Sequence, residues 1–329
     1  MAGRKVVVYY AWSRPGEVGA PLEVIEDRFP TLFESRRMLY PRFEEFSDPA
    51  RFDQSIGGFL DHIMKQNFVA FVEQARGQSG HPVVEIERVA DDGARVPLDT
   101  ALLNAADTLV VISFDSLRTG QDACAAEVEA VRRFLTQPDN LVFICPHHDI
   151  GDVPDLPHDE RLRRQIADFL HHGDKTIPPQ QRFGGFARSL LAGLGIGVEN
   201  RFGLHPAAES DGSPAAIEAE RALDRLHLLR GVDTFNLHPH LPQFERLQGA
   251  VTKLDVLVRQ KIDLTAPPHP FTRNGRTTFD ALLQSRPEIF AGNLFVGDAT
   301  LWSSTAGGVD SLRQLWTNVV QRPKVHDLI

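Results

Sequence analysis

Apolar residues fall along this chain in two rhythms. Short unbroken runs recur at Val6-Val7-Val8-Tyr9-Tyr10, at Thr108-Leu109-Val110-Val111-Ile112 and at Leu141-Val142-Phe143-Ile144. Runs of that length, rich in β-branched residues, fit strands covered on both faces, here over 5–11, 108–112 and 141–144. Elsewhere apolar positions recur at intervals of three and four. Ile56, Phe59, Leu60, Ile63, Phe68, Phe71 and Val72 predict a helix over 56–75, and Val128, Val131, Phe134 and Leu135 one over 122–136. A further strand is expected over 83–89, ended by the turn Asp91-Asp92-Gly93, and Asp99 is placed to cap a short helix over 100–106. Strand 108–112, helix 122–136 and strand 141–144 form one βαβ unit, a crossover of nearly invariant right hand. More helices are expected over 29–46, 159–171, 185–194, 215–229 and 309–320, and short strands near 232–237, 254–258 and 293–297. Segment 205–215, rich in Pro, Ala, Ser, Asp and Gly, has the composition of a linker.

Strands alternating with helices predict an α/β fold: three layers, with a mostly parallel sheet covered by helices on both faces. The 329 residues read as a single domain with helical insertions. A composition of 42% hydrophobic and 24% charged residues lies in the globular regime. The formal net charge of −9 repels phosphate backbones and anionic lipid heads, so no nucleic acid and no membrane are expected as partners. No apolar stretch reaches the roughly 18 residues that span a bilayer. The two cysteines, Cys124 and Cys145, are too few for a disulfide framework, so a reducing, cytoplasmic location is expected. The expected partner is a small-molecule ligand, and homo-oligomerisation stays open.

Three segments together resemble the class I glutamine-amidotransferase-like superfamily, which has a flavodoxin-like fold. Ala106-Asp107-Thr108-Leu109-Val110-Val111-Ile112 is similar to its "D-x-L-V-V" strand. Glu127 to Phe134 resembles the helix leading to the next strand. Leu294-Phe295-Val296-Gly297-Asp298, followed by Leu315-Trp316-Thr317-Asn318, resembles the terminal strand and helix of the branch that lacks amidotransferase activity. The resemblance covers about half of the chain and implies a doubly covered parallel sheet, often without a cysteine nucleophile.

In such sheets ligands bind outside the carboxyl ends of the strands. That rule selects Cys145-Pro146-His147-His148-Asp149, the loop 113–121 with Ser113 and Asp115, and Gly297-Asp298-Ala299-Thr300. A second imidazole cluster, Asn236-Leu237-His238-Pro239-His240, follows another apolar segment. Cys145 stands where the superfamily's nucleophile would stand, with His147 two residues on. Against that role, Pro146 has no N–H to give an oxyanion, and losing one such donor costs roughly 100- to 1000-fold in rate. A buried, inert thiol is the simpler reading. His147 or His148 with Asp149, joined by His238 and His240, would suit Zn²⁺ or Fe²⁺, with Asp298 behind an imidazole. The same histidines without a metal suit acid–base work near neutral pH. His269, in the stiff loop Pro267-Pro268-His269-Pro270, is a candidate pocket wall together with Asp298 and Thr300.

The reading that results is a small-molecule hydrolase. His147, His148, Asp149 and Cys145 are its catalytic candidates. Ser113, Asp115, His269, Asp298 and Thr300 are expected to bind substrate, and His147, His148, His238 and His240 to hold any metal. The alternatives are a non-catalytic binding protein on the same fold, and a cysteine-dependent amidase or glyoxalase-like enzyme using Cys145.

Overall fold

A computed structural model describes residues 3–18, 65–115, 119–147, 157, 159, 183–238, 240–266, 270–304 and 307–324. The helix expected over 29–46, nearly all of that over 159–171 and the first part of that over 56–75 lie outside them. Eight strands make one sheet. In chain order the strands are β1 (Val6–Ser13), β2 (Val84–Val89), β3 (Thr108–Ser113), β4 (Leu141–Pro146), β5 (Val198–Leu204), β6 (Glu218–Ala219), β7 (Leu241–Arg246), β8 (Leu254–Lys261), β9 (Thr278–Ser285) and β10 (Asn293–Gly297). The α-helices are α1 (Arg14–Val18), α2 (Lys65–Ser79), α3 (Thr100–Leu103), α4 (Ala125–Phe134), α5 (Gly185–Gly193) and α6 (Val309–Gln321).

The sheet order is β2-β1-β3-β4-β10-β9-β8-β6. Strands β2, β1, β3, β4 and β10 run parallel, while β9, β8 and β6 continue the sheet antiparallel. The apolar runs are unbroken because both faces are covered. Val6, Val8, Tyr10 and Trp12 of β1 pack with Phe68, Phe71 and Val72 of α2 and Leu312, Leu315 and Trp316 of α6. The alternate residues Val7, Tyr9 and Ala11 pack with Leu103 of α3, Val131 and Phe134 of α4, and Phe186 and Leu190 of α5. Each large side chain fully buried this way contributes about 1.5–3 kcal/mol before entropy is charged against it. No helix among the described residues is long and apolar enough to cross a membrane.

Three departures from the sequence pattern have physical causes. Residues 215–229 contain good helix formers, yet they form β6 and a 3₁₀ turn. Ile217 N–H donates to Asp233 O and Glu220 N–H to Leu257 O, so pairing with β8 overrides local propensity. Residues 232–237, expected as a strand, have no regular structure. Strands β5 and β7 pair only with each other. Polar residues interrupt β5, including the buried Asn200, and Pro242 sits inside β7, a position tolerated at an edge. Gln243 of β7 bonds Asp280 of β9 on both its amide atoms, which docks this small sheet beside the large one. Segment 205–215 is tied down: Ala207 N–H donates to Lys261 O, and Asp263 N–H to His205 O.

Candidate functional site

The site is built where β3, β4 and β10 end side by side. Ser113 pairs with Pro146 in the β3–β4 register, and Val296 with Ile144 in the β4–β10 register. Carried two residues on, the second register sets Asp298 level with Pro146. Ser113, Pro146 and Asp298 therefore lie in a row, about 4.8 Å from strand to strand.

On the β3 side the row is closed by α5. Ser113 Oγ donates to Asp115 Oδ1 at 2.5 Å, Phe186 N–H donates to Asp115 Oδ2 at 2.9 Å, and Ala187 N–H donates to Ser113 Oγ at 3.0 Å. These two buried side chains cap the first turn of α5. Burial pushes the Asp115 carboxyl up to about 6, against the hydrogen bonds from Ser113 and Phe186. Gly184 precedes the helix in a left-handed conformation (φ 74°), and a Cβ there would lie 2.7 Å from Pro146 Cβ. Only glycine fits both demands.

His147 leaves β4 beside this cap. Its N–H donates to Ser113 O at 2.9 Å, and its ring packs against Phe114 (4.3 Å between centroids) and Phe183 (5.4 Å). Its carbonyl accepts from the buried Asn200 Nδ2, and Asn200 Oδ1 accepts from Arg188 Nη1 at 2.6 Å. Backbone and ring are thus held from three elements.

On the β10 side a chain of hydrogen bonds leads to the second imidazole cluster. Asp298 Oδ1 accepts from Thr300 N–H at 2.8 Å. Thr300 Oγ1 accepts from Asn236 Nδ2 at 2.9 Å, and Asn236 Oδ1 accepts from His238 N–H at 3.0 Å. His238 Nδ1 then accepts from His240 N–H at a long 3.4 Å. His205 stands next to His240, with ring centroids 5.7 Å apart. His240 is buried and His238 half-buried. The histidines of residues 238–240 are therefore bound to the exit of β10, the neighbour of the strand that delivers His147.

After β1 the described chain turns back toward the loop that follows β3. Ser13 Oγ accepts from Gly16 N–H at 3.2 Å, and a Cβ on Gly16 would meet Thr119 Cγ2 at 3.0 Å. Arg14, Lys65 and Trp12 all donate to Glu87. Burial raises the Glu87 carboxyl, but these donors outweigh it and hold the group at about 2. A separate groove of about 480 Å³ runs between α2 and α6, lined by Gln74, Gln78, Arg313 and Thr317. None of the candidate residues lines it.

No protein-family model matches the chain, and no curated protein matches it. Among solved structures, the chain superposes on the carbohydrate deacetylase Agd3 with a TM-score of 0.36 at 7% sequence identity. The superposition covers 97% of this chain and 33% of that one, so the chain spans about a third of that protein's length. A score that low carries no argument about fold or activity.

The expected residues thus divide into groups. His147, Asp298, Thr300, His238 and His240 lie at or beside the carboxyl edge of β4 and β10. Ser113 and Asp115 are there too, with their hydrogen bonds directed to α5. His148, Asp149 and His269 lie outside the described residues. Among the described residues no group of three His, Cys, Asp or Glu side chains is placed to hold an ion; His148 and Asp149, two of the expected metal-site residues, lie outside them. The long 3.4 Å contact engages a ring nitrogen of His238 with the backbone instead.

Cys145 faces the core on the α2/α6 side, fully buried, and Trp302 Nε1 donates to its Sγ at 3.2 Å. Burial, aided by the Asp298 charge, pushes this thiol well above its ordinary range, the opposite of an activated nucleophile. Asn200 and Arg188 were not legible as site residues in the sequence, and Asn236 was marked only as the first residue of the imidazole segment. Asn236 opens the segment Asn236-Leu237-His238, and an Asn two residues before a histidine is the one signal that could have marked its role.

Proposed function

We propose that the carboxyl edge of β4 and β10 is the reaction site of a small-molecule hydrolase that works by imidazole acid–base chemistry. One observation carries this reading. The Asn236–Thr300 hydrogen bond, 2.9 Å long, ties the segment bearing His238 and His240 to the exit of β10, beside the strand that delivers His147. Segments that carry imidazoles some ninety positions apart in the chain are thus tied to neighbouring strand exits, which supports this reading. A neutral imidazole there can take a proton from water or return one to a leaving group, work contributing about 10²–10⁴-fold. His147 and His238 are the candidates for that exchange, and Asp298 holds the turn that carries Thr300.

The strand order β2-β1-β3-β4-β10 supports the flavodoxin-like, amidotransferase-like reading of the fold. The buried, raised thiol of Cys145 beside Pro146 speaks against cysteine chemistry and for replacement of it.

The test is hydrolysis of a panel of p-nitrophenyl esters and acetylated amines by purified protein. His147→Ala and His238→Ala should each lower kcat/KM by about 100-fold or more while the melting temperature holds. Turnover unaffected by either change would refute the assignment. A second reading, a binding protein without catalysis, is favoured by the engagement of Ser113, Asp115 and Thr300 with their own chain. Ligand-induced stabilisation in a protein inert to the whole panel would select it.

A further inference from the structure

We infer that Asn236 is the positioning residue of this site: it anchors the imidazole segment 238–240 to the exit of β10. The inference rests on the reaction site proposed above and adds the residue that organises it. Asn236 is almost completely buried. Its side chain bridges two elements, donating to Thr300 Oγ1 at 2.9 Å and accepting from His238 N–H at 3.0 Å. Both amide atoms are matched to their partners, since a backbone N–H can only donate and so fixes which end is oxygen.

The backbone of Asn236 is held as well. Its carbonyl accepts from Gln260 Nε2 of β8 at 3.2 Å. Gly308, which precedes α6 with φ 67°, packs so closely that a Cβ there would lie 2.5 Å from Phe235 O and 3.2 Å from Asn236 Cα. Strand β8, the β10 exit and the start of α6 therefore all converge on one residue. From it the chain of bonds runs Asp298–Thr300–Asn236–His238–His240. The last bond, from His240 N–H to His238 Nδ1, is long at 3.4 Å. Asn236 thus sets where the His238 backbone stands.

The decisive experiment reads histidine reactivity and turnover in the same full-length variants. Carbethoxylation by diethyl pyrocarbonate, followed per residue by mass spectrometry, reports His238 without any need for a substrate. Thr300→Val should speed labelling of His238 about fivefold, the factor given by losing one hydrogen bond of about 1 kcal/mol, and Asn236→Ala, which also loses the bond from His238 N–H, by at least as much. Thr300→Ser keeps the hydroxyl and should label like wild type. The double variant should label no faster than Asn236→Ala alone, because that change already removes the bond to Thr300 together with the bond from His238 N–H. His81, remote in sequence, serves as the internal control. With p-nitrophenyl acetate as probe substrate, Asn236→Ala should lower kcat with KM little changed, and Thr300→Ser should retain wild-type kcat.

Labelling unchanged in Thr300→Val, or additive in the double variant, overturns the anchor, and Thr300→Val decides even if Asn236→Ala does not fold. Faster labelling with unchanged kcat also overturns a positioning role in turnover. A wild-type protein inert to the ester but showing the expected labelling pattern supports the anchor and defeats the hydrolase reading, so the two failures are distinct.

Discussion

Two carboxylates at the strand ends are pushed in opposite directions, and their pH signatures differ in sign. Glu87 sits at about 2 because Arg14, Lys65 and Trp12 donate to it. A depressed carboxylate adds stability that is present above its unfolded value near 4.5 and is lost as pH falls toward 2. The shift corresponds to roughly 3 kcal/mol. Urea unfolding of Glu87→Gln should therefore show a deficit at pH 6 that shrinks below pH 4.5; a deficit independent of pH would contradict the ion-pair account. Asp115 is raised by burial, so its ionisation opposes folding. Its contribution falls as pH rises from about 3.8 through about 6. Relative to Asp115→Asn, wild type should lose roughly 3 kcal/mol across that window, and no relative slope would show that the carboxyl is not desolvated. At the same scale, Ellman's reagent should titrate Cys124 in the native protein and Cys145 only on unfolding, as expected for one exposed and one buried thiol. Rapid reaction of both would reopen cysteine chemistry.

Elements were legible in the sequence where a periodic apolar pattern was matched by the burial it implies. Strands β1, β3 and β4 and helices α4 and α6 are of this kind, since their apolar faces meet the two cores. The 215–229 segment failed because its helix formers carry no information about the β8 edge that captures them. Strand β5 was hidden by Asn200, a buried amide whose partners, Arg188 and the His147 carbonyl, are distant in sequence. The same limit governs the site. His147, His238 and Asp298 could be selected by the rule for strand ends, but Asn236 gains its role only from Thr300, 64 positions away. Glycines at element junctions give a direct test of these close approaches. Gly308→Ala would place a methyl 2.5 Å from Phe235 O in a left-handed backbone, a combination costing about 1–3 kcal/mol. Thermal unfolding should show that loss, and a neutral effect would mean that α6 can move away from Asn236.

At the scale of the molecule, the parallel half of the sheet carries the proposed site, and the segment between β6 and β7 reaches its edge. Strands β3, β4 and β10 bring Ser113, Pro146 and Asp298 into one row, while the segment between β6 and β7 supplies Asn236, His238 and His240. The buried pair of Arg88 and Glu127 joins β2 to α4, and Arg322 joins the end of α6 to the backbone of Asp107 and Asp139. Such clamps fix the far edges, so that the strand exits form a rigid base for side chains between them. The central claim is that His147 and the His238 segment serve one reaction. The most direct measurement is a double-mutant cycle on ester hydrolysis with His147→Ala, His238→Ala and the combined variant. The account predicts strong non-additivity, the double variant being about as slow as the slower single one. Effects that multiply independently, or no turnover to lose in wild type, would contradict it.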